Sequence, residues 1–224
     1  MRGLLAVAGL LCFAAVPAGQ MPEGRITGHV RLTGRVRGVP LPSNVYLPRA
    51  VNSHGASAVP EIKNVVVYLR NARSRLPLPI VRQQIRQENE SFVPRVIAIT
   101  RGSSVDFPNS DSFFHNVFSL SSAANFDLGQ FARGQVRRQV FNKPGLVKVY
   151  CHIHSQMSAS ILVLDHPYFA IPDVDGTFAL NGVPPGSYTI VGWHERVGER
   201  SDVIEVLPGR AASVDLALPV EDAK

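Results

Sequence analysis

Apolar residues in this chain come in short runs that alternate with polar ones, and most runs end at glycine or proline. Ile26, Gly28, Val30 and Leu32 alternate with Thr27, His29 and Arg31, the period-two pattern of a strand with one buried face. Asn64-Val65-Val66-Val67-Tyr68-Leu69-Arg70 is continuously apolar at its centre, which predicts a strand buried on both faces. From Val81 onward the runs lie close together. Val96-Ile97-Ala98-Ile99 and Ser104-Val105-Asp106-Phe107 flank a turn at Arg101-Gly102, and residues 137–141 and 146–151 flank Lys143-Pro144-Gly145. Residues 161–164, 203–207 and 214–218 supply further strands, Asp173 to Phe178 reads as a turn entering another, and Pro184 to Tyr188 opens one more. Residues 34–54 are rich in Gly, Pro and Ser and read as a long loop, while Gln83 to Glu90 is polar enough to be helical but has little apolar face.

The composition agrees with this pattern. Gly and Pro number 18 and 17 in 224 residues, a turn-rich content that fits an all-β protein of sandwich type and leaves no convincing long helix. The formal charge of +6 comes mainly from scattered arginines, including Arg133, Arg137 and Arg138, rather than from a dense run. Scattered charges read as a solvated face or a docking surface for an acidic redox partner, and they give no footprint for nucleic acid.

The first residues read as a separate signal. Arg2 is followed by an apolar stretch at residues 4–16 and by small residues at Val16-Pro17-Ala18-Gly19, the layout of a secretory signal peptide cut after Ala18. About 13 apolar residues are too few for a bilayer core of roughly 30 Å, and no later run suits a membrane span. A periplasmic or secreted location follows. Leu11 before Cys12 is too bulky for lipoprotein processing. Removing the signal removes Cys12 and leaves Cys151 alone in an oxidising compartment, where it has no partner for an internal disulfide.

Cys151 stands in Cys151-His152-Ile153-His154-Ser155-Gln156-Met157, and His115 lies 36 residues upstream. Two imidazoles, one thiolate and one thioether form the donor set of blue copper sites, with the thioether as the weak axial member. The expected metal ligands are His115, Cys151, His154 and Met157, holding one copper ion that cycles between Cu(I) and Cu(II). Singly, each histidine reads as an ordinary loop residue, Met157 as core filler and Cys151 as a small buried hydrophobe; their conjunction carries the metal reading. Val147, Val149 and Cys151 share a strand face, so the thiol should point into the core. His152 alternates away from Cys151 and reads as a supporting or surface residue, and Asp127 is an outside candidate for an oxygen ligand.

Phe92-Val93-Pro94, Gly102, Val105-Asp106-Phe107-Pro108-Asn109, Asp111 and His115-Asn116-Val117 resemble the cupredoxin pattern leading to the first histidine. Cys151 to Met157 resembles the very short Cys-x-x-His-x-x-Met loop of the plastocyanin/amicyanin-like blue copper proteins. The similarity covers under half of the chain, about residues 91–165. It implies a Greek-key sandwich carrying a type 1 copper centre, with His154 near the surface as the electron exit. His152 and Ser155 depart from the common pattern, and a binuclear purple site is excluded for want of a second cysteine in the loop. Phe113, Phe114, Phe118 and Met157 are expected to shield the metal.

Residues 175–190, Asp175-Gly176-Thr177-Phe178 through Tyr188-Thr189-Ile190, resemble the second half of a carboxypeptidase-regulatory-like, transthyretin-type sandwich. Gly28-His29-Val30 and Val65 to Leu69 fit its first half but precede the copper segment. The resulting division is a signal peptide at 1–18, a first half of the flanking β domain at 22–76, a cupredoxin copper domain at 77–166, and a second half at 167–219. An extended amino-terminal arm with an independent carboxy-terminal module is the alternative. Trp193 reads as a packing or domain-interface residue, and His194-Glu195 as an exposed strand end. The favoured function is single-electron transfer between redox proteins without enzymatic chemistry. A copper carrier or storage protein without redox cycling is the first rival, and an envelope structural or binding protein with a vestigial copper site is the second.

Overall fold

The computed structural model of the protein describes residues 22–33, 60–74 and 76–219. The expected signal segment with Cys12 and the expected loop at 34–54 lie outside the described residues. Among the described residues the chain is all-β, and its one helical element is a four-residue 3-10 turn at Glu61–Asn64. The early strands are β1 (Gly24–Leu32), β2 (Val65–Arg70), β3 (Arg82–Gln84), β4 (Arg86–Glu88), β5 (Ser91–Val93) and β6 (Val96–Thr100). The middle ones are β7 (Ser104–Pro108), β8 (His115–Ser121), β9 (Ala124–Phe131), β10 (Val136–Val140), β11 (Gly145–Tyr150) and β12 (Ser158–Leu164). The chain ends in β13 (Phe169–Ala170), β14 (Thr177–Val183), β15 (Gly186–His194), β16 (Gly198–Val206) and β17 (Ala211–Leu218).

Two layered cores result. In the first, a sheet of order β6-β12-β11-β8-β9 faces a sheet of order β10-β7-β3 and the β4-β5 hairpin. Alternation selects the inward set: Ile97 and Ile99 on β6, Val105 and Phe107 on β7, Val147 and Val149 on β11, and Ala159, Ile161 and Val163 on β12. In the second, β14-β1-β17 faces β13-β2-β15-β16 around Ile26, Val30, Val65, Val67, Leu69, Ile190 and Leu218. β1 pairs antiparallel with β14 and parallel with β17, and β2 pairs antiparallel with β15. Strands before residue 77 and after residue 166 therefore share hydrogen-bonded sheets. Gly28 makes this possible, because a Cβ there would lie 1.9 Å from the Val214 carbonyl oxygen.

A third apolar cluster joins the two. Val66 of β2 and Trp193 of β15 pack on Val96 and Ala98 of β6 and on Leu162 and Leu164 of β12. These four strands are apolar on both faces because each face meets a different core, which explains the unbroken run at residues 65–69. Trp193 is thus a packing residue between the sheets, and burial of such side chains contributes ~1.5–3 kcal/mol each. The next two residues correct the expectation of an exposed strand end. His194 is fully buried with Nε2 3.0 Å from Glu61 Oε1. The Glu195 side chain is only 6% exposed, with Arg95 Nε at 2.5 Å and Lys148 Nζ at 3.7 Å, and it accepts a 2.7 Å hydrogen bond from Ser160 Oγ. All three partners come from the β6-β12-β11 side, so a carboxylate of the second sandwich is ion-paired to the first.

The polar stretch Gln83 to Glu90 is strand rather than helix. It forms β3 and β4, with Ile85 between them and Gln87 on β4 turned inward, and each strand finds its hydrogen bonds on a neighbour: β3 on β7, β4 on β5. Sheet pairing overrides the helical propensity of a glutamine-rich run.

Candidate metal centre

Cys151 continues the inward face of β11 beyond its last residue, and it is 4% exposed at the edge of the first core. His115 opens β8 and is fully buried. His154 sits in the turn between β11 and β12, closed by a 3.0 Å hydrogen bond from the Met157 N–H to the His154 carbonyl oxygen. Three donor atoms converge there. Cys151 Sγ lies 3.8 Å from His115 Nδ1 and 4.0 Å from His154 Nδ1, and the two Nδ1 atoms are 3.1 Å apart. The circle through these atoms has a radius of about 2.1 Å, which matches metal–imidazole bonds of ~2.0–2.1 Å and metal–thiolate bonds of ~2.3 Å. Among the described residues this is the one group of three or more His, Cys, Asp or Glu side chains able to hold a metal ion.

The electrostatics favour a metal. Burial pushes the Cys151 thiol up, but hydrogen bonds from His115 and from the backbone N–H groups of Asn116, His154 and Ile153 outweigh it and bring the thiol down to about 6. A thiol of that acidity is largely thiolate at neutral pH, the form that ligates. Burial pulls His115 down, yet its contacts with Cys151 and Asp111 hold it above the ordinary histidine value. In the metal-free protein the thiolate and the imidazolium stabilise each other, and a cation seated between them replaces the proton.

Neighbouring residues fix the donors in place. His115 Nε2 lies 2.8 Å from Asp111 Oδ2, which leaves Nδ1 free to face the cluster. Asn116 Oδ1 accepts a 2.7 Å hydrogen bond from the His152 N–H, tying β8 to the ligand loop. Neither role follows from the strand pattern, although an aspartate four residues before the histidine in a polar corner was visible as a motif. Phe113 packs its ring 5.1 Å from His115 and 5.3 Å from His154, centroid to centroid, and is 40% exposed. Phe114 is more exposed still and leaves the shielding mainly to Phe113 and to the buried core.

Met157 is 1% exposed and lies in the same apolar core as Cys151. His152 lies outside the cluster, with its ring stacked on Phe118 at 3.7 Å and an interplanar angle of 3°. Phe118 therefore serves His152 rather than the donor set. Asp127 also lies outside the cluster: its Oδ1 accepts from Asn116 Nδ2 at 3.1 Å and from the Gly129 N–H at 2.9 Å, while Oδ2 is 3.7 Å from His152 Nε2.

No family model matches the sequence, and no curated protein matches it. Solved structures do. The purple cupredoxin of Nitrosopumilus maritimus is 23% identical over 37% of this chain and 99% of its own, with a TM-score of 0.33. Amicyanin of Paracoccus versutus is 19% identical over 44% of this chain and 97% of its own, with a TM-score of 0.34. The copper-containing nitrite reductase of Thermus scotoductus is 28% identical over 42% of this chain, with a TM-score of 0.35, and the match spans only 24% of that chain. Each match covers less than half of this chain.

Proposed function

We propose that the protein is a mononuclear copper protein of the cupredoxin kind that passes single electrons between redox proteins in the periplasm or outside the cell. The observation that carries this reading is the convergence of Cys151 Sγ, His115 Nδ1 and His154 Nδ1 on one point at metal-bonding distance from all three. These residues are the close ligands, and Met157, buried in the same core as Cys151, is the weak axial one. Copper supplies the one-electron couple; thiolate and thioether suit Cu(I), and imidazole suits both states.

The chain's own contribution is rigidity, shielding and access. β8 and β11 hold His115 and Cys151 from two adjacent hydrogen-bonded strands, so neither donor has to move when the charge of the site changes. Burial of Cys151, His115 and Met157 keeps water from those donors. His154 is half-buried, and the exposed side chains of Phe113, Phe114 and Ile153 belong to its own loop and the β7–β8 connection. That apolar rim is the natural contact for a redox partner, with His154 as the exit. With four protein ligands no exchangeable position is left for substrate, so the protein acts as a carrier and not as an enzyme. The described residues of 22–76 and those of 167–219 form one carboxypeptidase-regulatory-like unit interrupted by the copper domain at 77–166, a reading supported by the sheets β1 and β2 share with β14, β15 and β17. Among the described residues no helix is long and apolar enough to cross a membrane.

The test is a Cu(II) titration of the apoprotein followed by visible absorption and EPR. One equivalent should produce an intense thiolate-to-copper band with narrow hyperfine splitting. Colourless, irreversible reduction to Cu(I) would instead assign the site to copper carriage, and absence of copper uptake would overturn the metal reading altogether.

A further inference from the structure

The hairpin joining β4 and β5 turns at Asn89 and Glu90, both with φ of +53°. Two consecutive positive φ values make a tight two-residue turn in which glycine is the usual second residue. A glutamate is disfavoured in this conformation, because its Cβ crowds the backbone carbonyl oxygen. The strained turn aims both of its N–H groups at one carboxylate: Asn89 N–H donates to Asp111 Oδ1 at 2.7 Å, and Glu90 N–H to Asp111 Oδ2 at 3.0 Å. Asp111 Oδ2 also receives His115 Nε2 at 2.8 Å, and the Asp111 side chain is only 10% exposed. Asn109 fixes the Asp111 backbone, accepting its N–H at 2.9 Å while donating to the carbonyl oxygens of Phe113 and Phe131. The same turn reaches the ligand loop, because Glu90 Oε2 accepts a 2.9 Å hydrogen bond from Gln156 Nε2.

Resting on the copper reading above, we propose that Asp111 is a positioning residue: a negative charge that the Asn89-Glu90 turn locks against His115 to favour Cu(II) over Cu(I) at the site. Two physical effects act in the same direction. An imidazole that donates Nε2–H to a carboxylate is more electron-rich at Nδ1, and so a better ligand for the more highly charged ion. The carboxylate also attracts a dication more strongly than a monocation, and the low local exposure leaves that attraction weakly screened. Both carboxylate oxygens accept from the turn N–H groups and Oδ2 also faces His115 Nε2, a setting of donors that suits the ionised side chain. The strained turn is thereby explained as the source of two N–H donors for a charge the site requires.

The experiment uses the full chain. Asp111→Asn keeps the size of the side chain and removes the charge. Relative affinity for Cu(II) over Cu(I) should fall about tenfold, which raises the reduction potential by about 59 mV, with the visible band retained. A purely structural role for Asp111 would weaken copper uptake or broaden the EPR without moving the potential, and an unchanged potential in a copper-loaded variant overturns the proposal. A second measurement needs neither copper nor the variant. In wild-type apoprotein at alkaline pH, imidazole nitrogen shifts should report the Nε2–H tautomer of His115, because the carboxylate at 2.8 Å is a better acceptor than the sulfur at 3.8 Å. The Nδ1–H tautomer overturns the proposal and leaves the copper reading untouched. Failure of wild-type protein to take up copper overturns the copper reading and with it the role proposed for Asp111, whatever the tautomer of His115.

Discussion

The two cores of this chain are built from the same kind of strand, yet they treat polar atoms differently. The flanking core around Ile26, Val67, Leu69, Ile190 and Leu218 is lined by aliphatic and aromatic side chains, with the buried His166 ring stacked on its Tyr168. The core around Phe107, Val149 and Ile161 admits a cysteine and leads at one end to two histidines. Buried groups of that kind cost stability unless partnered, and here each has a partner: thiol with imidazole, imidazole with carboxylate, carboxylate with two backbone N–H groups. In the flanking sandwich His194 is buried against Glu61, and the Glu195 side chain sits at the junction, where Arg95, Lys148 and Ser160 cover it. One sandwich thus places its chemistry at an end of its core, and the other places a carboxylate where it meets its neighbour. The division predicts that chemistry and stability can be separated by mutation.

The widest separation should come from Cys151→Ser set against Leu69→Ala. The serine variant removes the soft donor while barely changing volume, so the copper charge-transfer band should vanish entirely while the β-sheet circular dichroism persists. Leu69 is fully buried in the flanking core, and its truncation should cost about 2–5 kcal/mol in urea unfolding while the folded fraction still gives the blue band. Loss of the band in Leu69→Ala under folded conditions would show that the two regions are not separable.

Trp193→Ala probes the seam between them. The indole packs against Val66, Val96, Ala98, Leu162 and Leu164, so its removal should destabilise by about 3–5 kcal/mol at a place that belongs to both cores. A single unfolding transition in wild type that splits in two in the variant, followed by denaturant titration with tryptophan-independent probes, would identify the seam as the source of cooperativity. If wild-type and variant transitions coincide, the seam carries little coupling.

A milder effect is expected from acid. The hydrogen bond with His194 is the main cause that holds the Glu61 carboxyl below its ordinary 4.5, with Arg196 and Arg95 adding to it against burial. A depressed folded-state value means that this contribution is fully present above about 4.5 and is lost as pH falls through the lower folded value. Urea midpoints measured downward from pH 6 should decline in that window, and Glu61→Gln should flatten part of the decline. An identical acid limb in the variant would remove Glu61 from the account.

Much of the architecture was legible because burial on β sheets leaves a period of two. Residues 26–32 and 146–151 show that period, and the unbroken run at 65–69 announced two buried faces. The convergence of three side chains was legible because Cys151 and His154 are close in sequence and His115 heads a strand. What escaped was non-local. Nothing near His194-Glu195 reveals that Arg95, Lys148 and Ser160 will cover the glutamate, since those partners lie on another sheet. Likewise Asn89 and Glu90 acquire their meaning only when the β4–β5 hairpin folds over Asp111, 21 and 22 residues away. A polar run such as residues 83–90 has no strong period of its own, so its strands are specified by the neighbours they pair with.

The smallest effect should come from the residue closest in sequence to the thiol. His152 follows Cys151 directly, but the strand geometry turns its side chain to the opposite face, where it stacks on Phe118 and lies 3.7 Å from Asp127 Oδ2. The hydrogen bond that matters for the loop is made by its backbone N–H to Asn116 Oδ1, and that bond survives any side-chain change except proline. His152→Ala should therefore leave the position and intensity of the copper band nearly intact and cost about 0.5–1.5 kcal/mol of stability through the lost stacking. His154→Ala, two residues further on, removes one of the three converging donors and should change the band outright. Absorption spectra of the two copper-titrated variants make the comparison directly. A band lost in His152→Ala would move that imidazole into the donor set and overturn the ligand assignment, whereas a band lost only in His154→Ala would tie the chemistry to the inward face of one short loop.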